Sequence, residues 1–254
     1  MNVLTICRKE LSSYFRSPIA YGVMFFFALI AGYFFYVATV SFVTQGLRSA
    51  MMGQSQPMDV NEWVVRSLLS NISVIGLFMA PMITMRLFAE EKRTGTIELL
   101  VTSPLHDYEI ILGKWVAALI LYAAMLSISL LNLLSLYLYG KPAWKPMLIG
   151  YLGLLLQGGC MLALGAFISA CTKNQIVACV GAFGVLLLLW VISWASSLDS
   201  SSLMRVIGYL SIVDHLDSFA KGILDTKDAL FFVSVIFLGL FLTGRAMESI
   251  RWRA

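Results

Sequence analysis

The sequence predicts an all-α polytopic membrane protein, and three observations carry that reading. Of 254 residues, 59% are hydrophobic and 13% charged, with a mean hydropathy of +0.85. A soluble domain carries about 25% charged residues to cover its surface, so this chain is built for lipid. Six apolar stretches reach or approach the ~20 residues that a helix needs to cross a hydrocarbon core about 30 Å thick. A charged stretch, RLFAEEKRTGTIELLVTSPL at residues 86–105, interrupts them after the second.

Residues 1–18, MNVLTICRKELSSYFRSP, are amphipathic and charged. They lack the short apolar core and small-residue site of a cleaved signal peptide and read as an interfacial helix before the first span. The spans are expected at about 19–43, 67–86, 115–138, 147–171, 176–198 and 229–247, all within one transmembrane domain over 1–254. The first is aromatic all round (Phe25, Phe26, Phe27, Tyr33, Phe34, Phe35, Tyr36), as lipid contact allows. The second contains Pro81, which should kink it; neighbouring helices can satisfy the freed carbonyl. The fourth and fifth carry Gly150, Gly153, Gly158, Gly159, Gly165, Gly181 and Gly184, which let helix backbones approach closely, so both are expected inside the bundle. Asn71, Ser73, Thr84, Ser127, Ser129, Asn132 and Gln157 read as interhelical hydrogen-bonding groups. Cys7, Cys160, Cys171 and Cys179 show no paired spacing and read as small buried apolar residues.

Six spans put both termini on one side. With the termini cytoplasmic, the inner segments hold 11 Lys and Arg against 7 in the longer outer segments, so the positive-inside rule places the charged stretch in the cytoplasm. No ionisable residue falls in the apolar body of a span; Arg86 and Lys114 read as edge markers. That weakens a secondary transporter, which usually needs such groups despite a cost of about 2.5–3.5 kcal/mol each. His106 and His215 are both assigned to loops, so a hydrolase within the bilayer lacks its base or metal ligands. No arginine-rich run with interleaved aromatics points to nucleic acid. No catalytic, cofactor-binding or metal site is expected.

Within the charged stretch, Glu90, Glu91, Lys92 and Arg93 should continue the second span out of the membrane. Gly95 then turns the chain and serves as N-cap for a helix starting at Thr96, with Glu98 at the third position, where a carboxylate suits the positive helix end. Ile97, Leu100 and Val101 share one apolar face, and Pro104 ends the run. The segment 89–107 thus reads as a short helix lying across the membrane surface.

This pattern, EEKRTGTIELLVTSP followed by EIILGK, strongly resembles the coupling segment of ABC-2-type (type V) exporter permeases. CRKELSSYFRSP is similar to that family's interfacial helix. YLSIVDHLDSFAKGILDTKDAL resembles the external segment of its gliding-motility-associated (GldF-like) branch. The resemblance implies a permease subunit of the bacterial inner membrane whose coupling helix, with Glu90, Glu91, Gly95, Thr96, Ile97, Glu98, Leu100, Val101 and Pro104, docks on a separate ATPase subunit. ATP and Mg would belong to that partner. A second permease, identical or related, would complete the pump, and an extracytoplasmic accessory protein fits the branch. The chain has no P-loop of its own: before Gly113 and Lys114 the upstream glycine is replaced by Tyr108, and Trp115 replaces the hydroxyl residue. The competing classes are an ATP-independent channel or secondary transporter, and a membrane anchor that drives an extracytoplasmic machine without moving solute.

The outer segment 199–228 holds five Asp against three basic residues, with Leu203, Val206, Ile207 and Leu210 at helical spacing. It reads either as a helix dipping into the outer leaflet, as the resemblance implies, or as an amphipathic helix on a surface loop. Asp214, His215 and Asp217 form too common a pattern to argue for a metal. The charge asymmetry has a direct check. In intact cells a membrane-impermeant thiol reagent should miss a cysteine placed at Thr94 and label one at Ser201; the reverse pattern would invert the orientation.

Overall fold

A computed structural model describes residues 2–53, 59–97, 106–139, 142–198 and 207–251. The described residues form helices and turns with no strand. Helix α1 (Asn2–Arg16) precedes α2 (Pro18–Met51), then α3 (Arg66–Thr84), α4 (Ala89–Thr94), α5 (Asp107–Tyr139), α6 (Trp144–Cys171), α7 (Gln175–Leu198), α8 (Asp214–Ala220) and α9 (Thr226–Arg251). Six of these, α2, α3, α5, α6, α7 and α9, are long and apolar enough to cross a membrane.

Helix ends depart from the sequence boundaries where polar residues carry a helix beyond the bilayer. Helix α2 continues past residue 43 because nothing breaks it until Gly53, whose φ of +68° turns the chain. Helix α3 is preceded by a π-helical turn, Asn61–Val65, in which the Arg66 amide reaches back to the Asn61 carbonyl. The chain runs through Pro81 and leaves the helix one turn later.

Helices α3 and α6 form the centre: 72% and 67% of their most apolar stretches are buried, against 17% for α7 and 22% for both α2 and α9. Glycine explains this closeness in α6. A Cβ at Gly158 would run into the Tyr122 ring, one at Gly150 into Leu69, and one at Gly165 into Thr84. Helix α7 corrects the glycine reading. A Cβ at Gly181 would meet Ile168 of α6 at 3.1 Å, but Gly184 has nothing within 4 Å and the helix lies at the periphery. Among the described residues, hydrogen bonds cross between spans from Gln157 Nε2 to Ser73 Oγ at 2.7 Å, between Ser129 and Tyr151 at 2.8 Å, and from Trp115 Nε1 to the Gly159 carbonyl at 3.1 Å. Asn71, Thr84 and Ser127 instead donate to carbonyls of their own helices. Phe27 is fully buried, while Phe25, Phe26, Tyr33 and Tyr36 face outward. Cys7 and Cys160 are buried, but Cys171 at the end of α6 is exposed, against expectation.

At the end of the bundle away from α1, helix α8 acts as a clasp. His215 lies in this helix rather than in a loop, and it does not join Asp214 and Asp217 in a cluster; the three side chains reach three different spans. Asp214 accepts from Ser193 of α7 at 2.7 Å, and Asp217 accepts from Arg66 of α3 at 2.7 Å. His215 pairs through Nδ1 with Asp228 of α9 at 2.7 Å, while its Nε2 donates to the Tyr209 carbonyl at 2.9 Å. Burial pushes the Asp217 carboxyl up, but hydrogen bonds from Lys221 and Arg66 outweigh it and hold the group below the usual range. Phe219 packs where a side chain at Gly153 of α6 would stand. Of the apolar set expected here, Ile207 and Leu210 are exposed, and Leu203 and Val206 lie outside the described residues.

Gly158→Val should therefore lower the thermal stability of the purified protein by about 1–3 kcal/mol, the cost of overpacking a tight core. Gly184→Val should leave it unchanged within about 0.5 kcal/mol. Equal unfolding midpoints for the two variants would refute the close approach of α5 and α6.

Candidate functional site

The charged stretch does not continue α3 outward. Helix α3 stops at Thr84, the chain turns through Met85–Phe88, and α4 begins afresh at Ala89. A new helix start exposes amides with no partner of their own. Ser169, near the end of α6, meets them: its hydroxyl accepts from the Phe88 and Ala89 amides at 3.1 and 3.2 Å and donates to the Met85 carbonyl at 3.3 Å. The cap of α4 thus comes from another helix, because Phe88 at the cap position offers no oxygen. One turn on, the Lys92 ammonium donates to the Ala170 carbonyl, which pins α4 again to the same end of α6.

Gly95 corrects the expected cap. With φ +76° and ψ −3° it closes α4 in the left-handed conformation, the role of a helix C-terminal glycine and not of an extended N-cap. Arg93, Thr94, Gly95 and Thr96 form an exposed tip, within which the Thr94 and Thr96 hydroxyls share a 2.9 Å hydrogen bond. Ile97 turns inward and is only 7% exposed, so its apolar side is consumed within this chain. Glu98, Leu100, Val101 and Pro104 lie outside the described residues.

The two glutamates of α4 are committed to ion pairs. Glu90 accepts from Arg86 Nε at 2.9 Å, and Arg86 also reaches the Ser17 hydroxyl between α1 and α2 at 3.4 Å. Glu91 meets Lys114 of α5 at 2.8 Å, and the same ammonium meets Glu10 of α1 at 3.0 Å. The Lys114 side chain is 3% exposed and lies 5.5 Å from the centre of the Phe88 ring. Lys114, read as an edge marker, is thus also the buried centre of an ionic triad. Glu91 Oε2 is buried with no hydrogen-bond partner. Close by, Ile6 and Val3 of α1 occupy the space beside Gly113, and Glu109 accepts from Asn2 at 3.1 Å and from the His106 amide at 3.2 Å. The last bond is half of a capping box, so α5 starts well although His106 at its cap position carries no hydroxyl.

The described residues hold no cluster of metal-ligating side chains. What the arrangement offers is a rigid turn with an exposed tip, joined by charge to α1, α5 and α6. Glu10 and Ser169 were not singled out from the sequence, and Lys114 reads there only as an edge marker. Lys114 carried a signal all the same: Ile110, Ala118, Leu121 and Met125 recur at helical spacing on the buried side of α5, and Lys114 falls in that stripe.

The family model described as ABC-2 family transporter protein matches residues 4–243. Two curated relatives, from Escherichia coli strain K12 and from Escherichia coli O157:H7, each carry the name probable multidrug ABC transporter permease YbhR. Each is 28% identical over 126 residues, which is 50% of this chain and 33% of the relative, so the match spans about a third of the relatives' length.

Removing the shared cap tests how the turn is held. Ser169→Ala should cost about 1 kcal/mol, as loss of a helix cap does, and should speed amide exchange at Phe88 and Ala89 while leaving Gln157 and its neighbours protected. Unchanged exchange at those two amides would show that the turn is held by other contacts.

Proposed function

This chain belongs to the ABC-2 transporter family, and from that premise we propose that it is the permease subunit of an ATP-driven exporter of a bacterial inner membrane, worked by a separate nucleotide-binding subunit. The observation that carries the reading is the turn after α3. It projects an exposed tip, Arg93–Thr96, from a base pinned to three other helices, which suits a surface that must receive force without deforming. A solvated connector has no need of a buried triad at its root.

On this reading ATP and Mg are bound by the partner, since this sequence has no P-loop. Glu90 and Glu91 act from within, by fixing α4, while Gly95 and Thr96 lie at the docking tip with Arg93 and Thr94. Ile97 supports the tip from below. Glu98, Leu100, Val101 and Pro104 extend the segment on sequence grounds alone. Both termini and the tip face the cytoplasm, in line with the distribution of basic residues. An ATPase that closes two subunits around two nucleotides needs two permease halves, and a second copy of this chain is the simplest symmetric partner. The name of the curated relatives favours export of small molecules over other cargo. Assignment to the gliding-motility branch, with an accessory protein outside, rests on the resemblance of residues 209–230.

A photo-crosslinking residue at Thr94 should capture the ATPase subunit in membranes that express both, whereas one at Tyr209, exposed at the other end, should not. Arg93→Glu should weaken recovery of the ATPase about tenfold, a loss of ~1.4 kcal/mol, within the range for a charge at an interface. Equal capture from both positions would end the docking proposal.

A further inference from the structure

We propose that Lys114 is a positioning residue for energy coupling: it ties the α4 turn to the interfacial helix α1 and to the head of α5, so that displacement of the turn moves both together. The inference rests on the coupling role proposed above for the turn.

The geometry is specific. One ammonium bridges carboxylates from two other elements, at 2.8 Å to Glu91 of α4 and 3.0 Å to Glu10 of α1, with its side chain 3% exposed and each carboxylate 16% exposed. With the ammonium buried and the carboxylates mostly covered, the attraction is screened less than between exposed charges. The nearby cations are otherwise engaged, Arg86 with Glu90 and Lys92 with the Ala170 carbonyl, so neither can substitute for Lys114.

The charge count makes the tie directional. Two carboxylates share one ammonium, leaving a formal charge of −1, and Glu91 Oε2 has no hydrogen-bond partner to offset it. Neither carboxylate can leave Lys114 without being stranded in a poorly solvated site. When the turn moves, Lys114 follows Glu91, and Glu10 follows Lys114. Helix α1 has further attachments along α5, where Val3 and Ile6 pack on Gly113 and Asn2 bonds Glu109, so it travels with the head of α5 as one body. A surface connector whose charges faced water would slip instead, because exposed pairs contribute little.

The test uses the permease with its ATPase subunit in nanodiscs, spin-labelled at Ser13 on α1 and at Ile223 beyond α8 at the other end of the bundle, both exposed. The distance between labels is read without nucleotide and with Mg, ADP and vanadate. In the otherwise unaltered complex it should shift on trapping. Glu10→Met cuts only the link to α1 and leaves Lys114 and Glu91 as a balanced pair; the ATPase should still co-purify, but the shift should fall by more than half. Glu10→Gln, nearly isosteric, serves if Glu10→Met fails to fold. Lys114→Arg should keep the shift, which a role as mere packing filler would not predict. A full shift in the folded Glu10 variant overturns the proposal while leaving the docking reading intact. Failure of the unaltered complex to retain any ATPase subunit overturns the docking reading, and this inference with it.

Discussion

The turn between α3 and α4 is where this structure meets its hardest physical constraint. A helix break at the edge of an apolar bundle frees amides and carbonyls that lipid cannot satisfy, at several kcal/mol for each group left alone. The chain answers with groups borrowed from other helices. The Ser169 hydroxyl serves two amides and one carbonyl, Lys92 takes the Ala170 carbonyl, and Lys114 holds Glu91. None of these partners is local in sequence. The turn therefore exists only when α5, α6 and α1 are already in place around it, and its shape reports theirs.

The same logic runs through the bundle in its apolar form. Without a hydrophobic driving force between helices in lipid, association depends on close packing and a few buried hydrogen bonds. Helix α6 meets that demand by presenting glycine to the largest side chains of its neighbours: Tyr122, Leu69 and Phe219 each fill a space that a Cβ would take. The Gln157–Ser73 bond then fixes α6 against α3 at a depth where either group alone would be stranded. At the periphery α7 and α9 turn mostly apolar surface outward, and Gly239 lets α9 approach the α6 backbone at Ala163.

How much of this could be read from the chain follows from which forces are local. Span number, order and approximate ends were legible, because hydropathy over about 20 residues depends on nothing outside the window. The placement of the charged stretch between α3 and α5 was legible too. What failed were inferences that needed a neighbour. Gly95 shows no sign in isolation of whether it begins or ends a helix; the break at Met85–Phe88 decides it, and that break depends on Ser169, 81 residues from Phe88. Ile97 reads as part of an apolar stripe, but only the fold says that Ile97 itself is covered within this chain. The partners of Lys114 are hidden, and His215 is assigned to a loop, for the same reason. An ionisable side chain near a span end looks solvated until its partners, 104 residues away for Glu10 and 13 for Asp228, come beside it.

Two helices touch both ends of this arrangement, and that decides how the ends can communicate. Helix α3 holds Asp217 of α8 through Arg66 at one end, and at the other leads into the turn where Arg86 holds Glu90. Helix α6 receives Phe219 at Gly153, and near its far end supplies Ser169 to the α4 cap. Between those points the pair is joined at Gly150 with Leu69, Gln157 with Ser73 and Gly165 with Thr84, three contacts spread along the span. Side chains seated on glycine leave little free volume to absorb a displacement, since a tightly packed interior deforms by discrete repacking rather than by compression. The central pair is thus tied at one end to the α4 turn and at the other to α8, whose Asp217, Asp214 and His215 hold α3, α7 and α9, so on the proposed coupling role it is the path that joins the two ends.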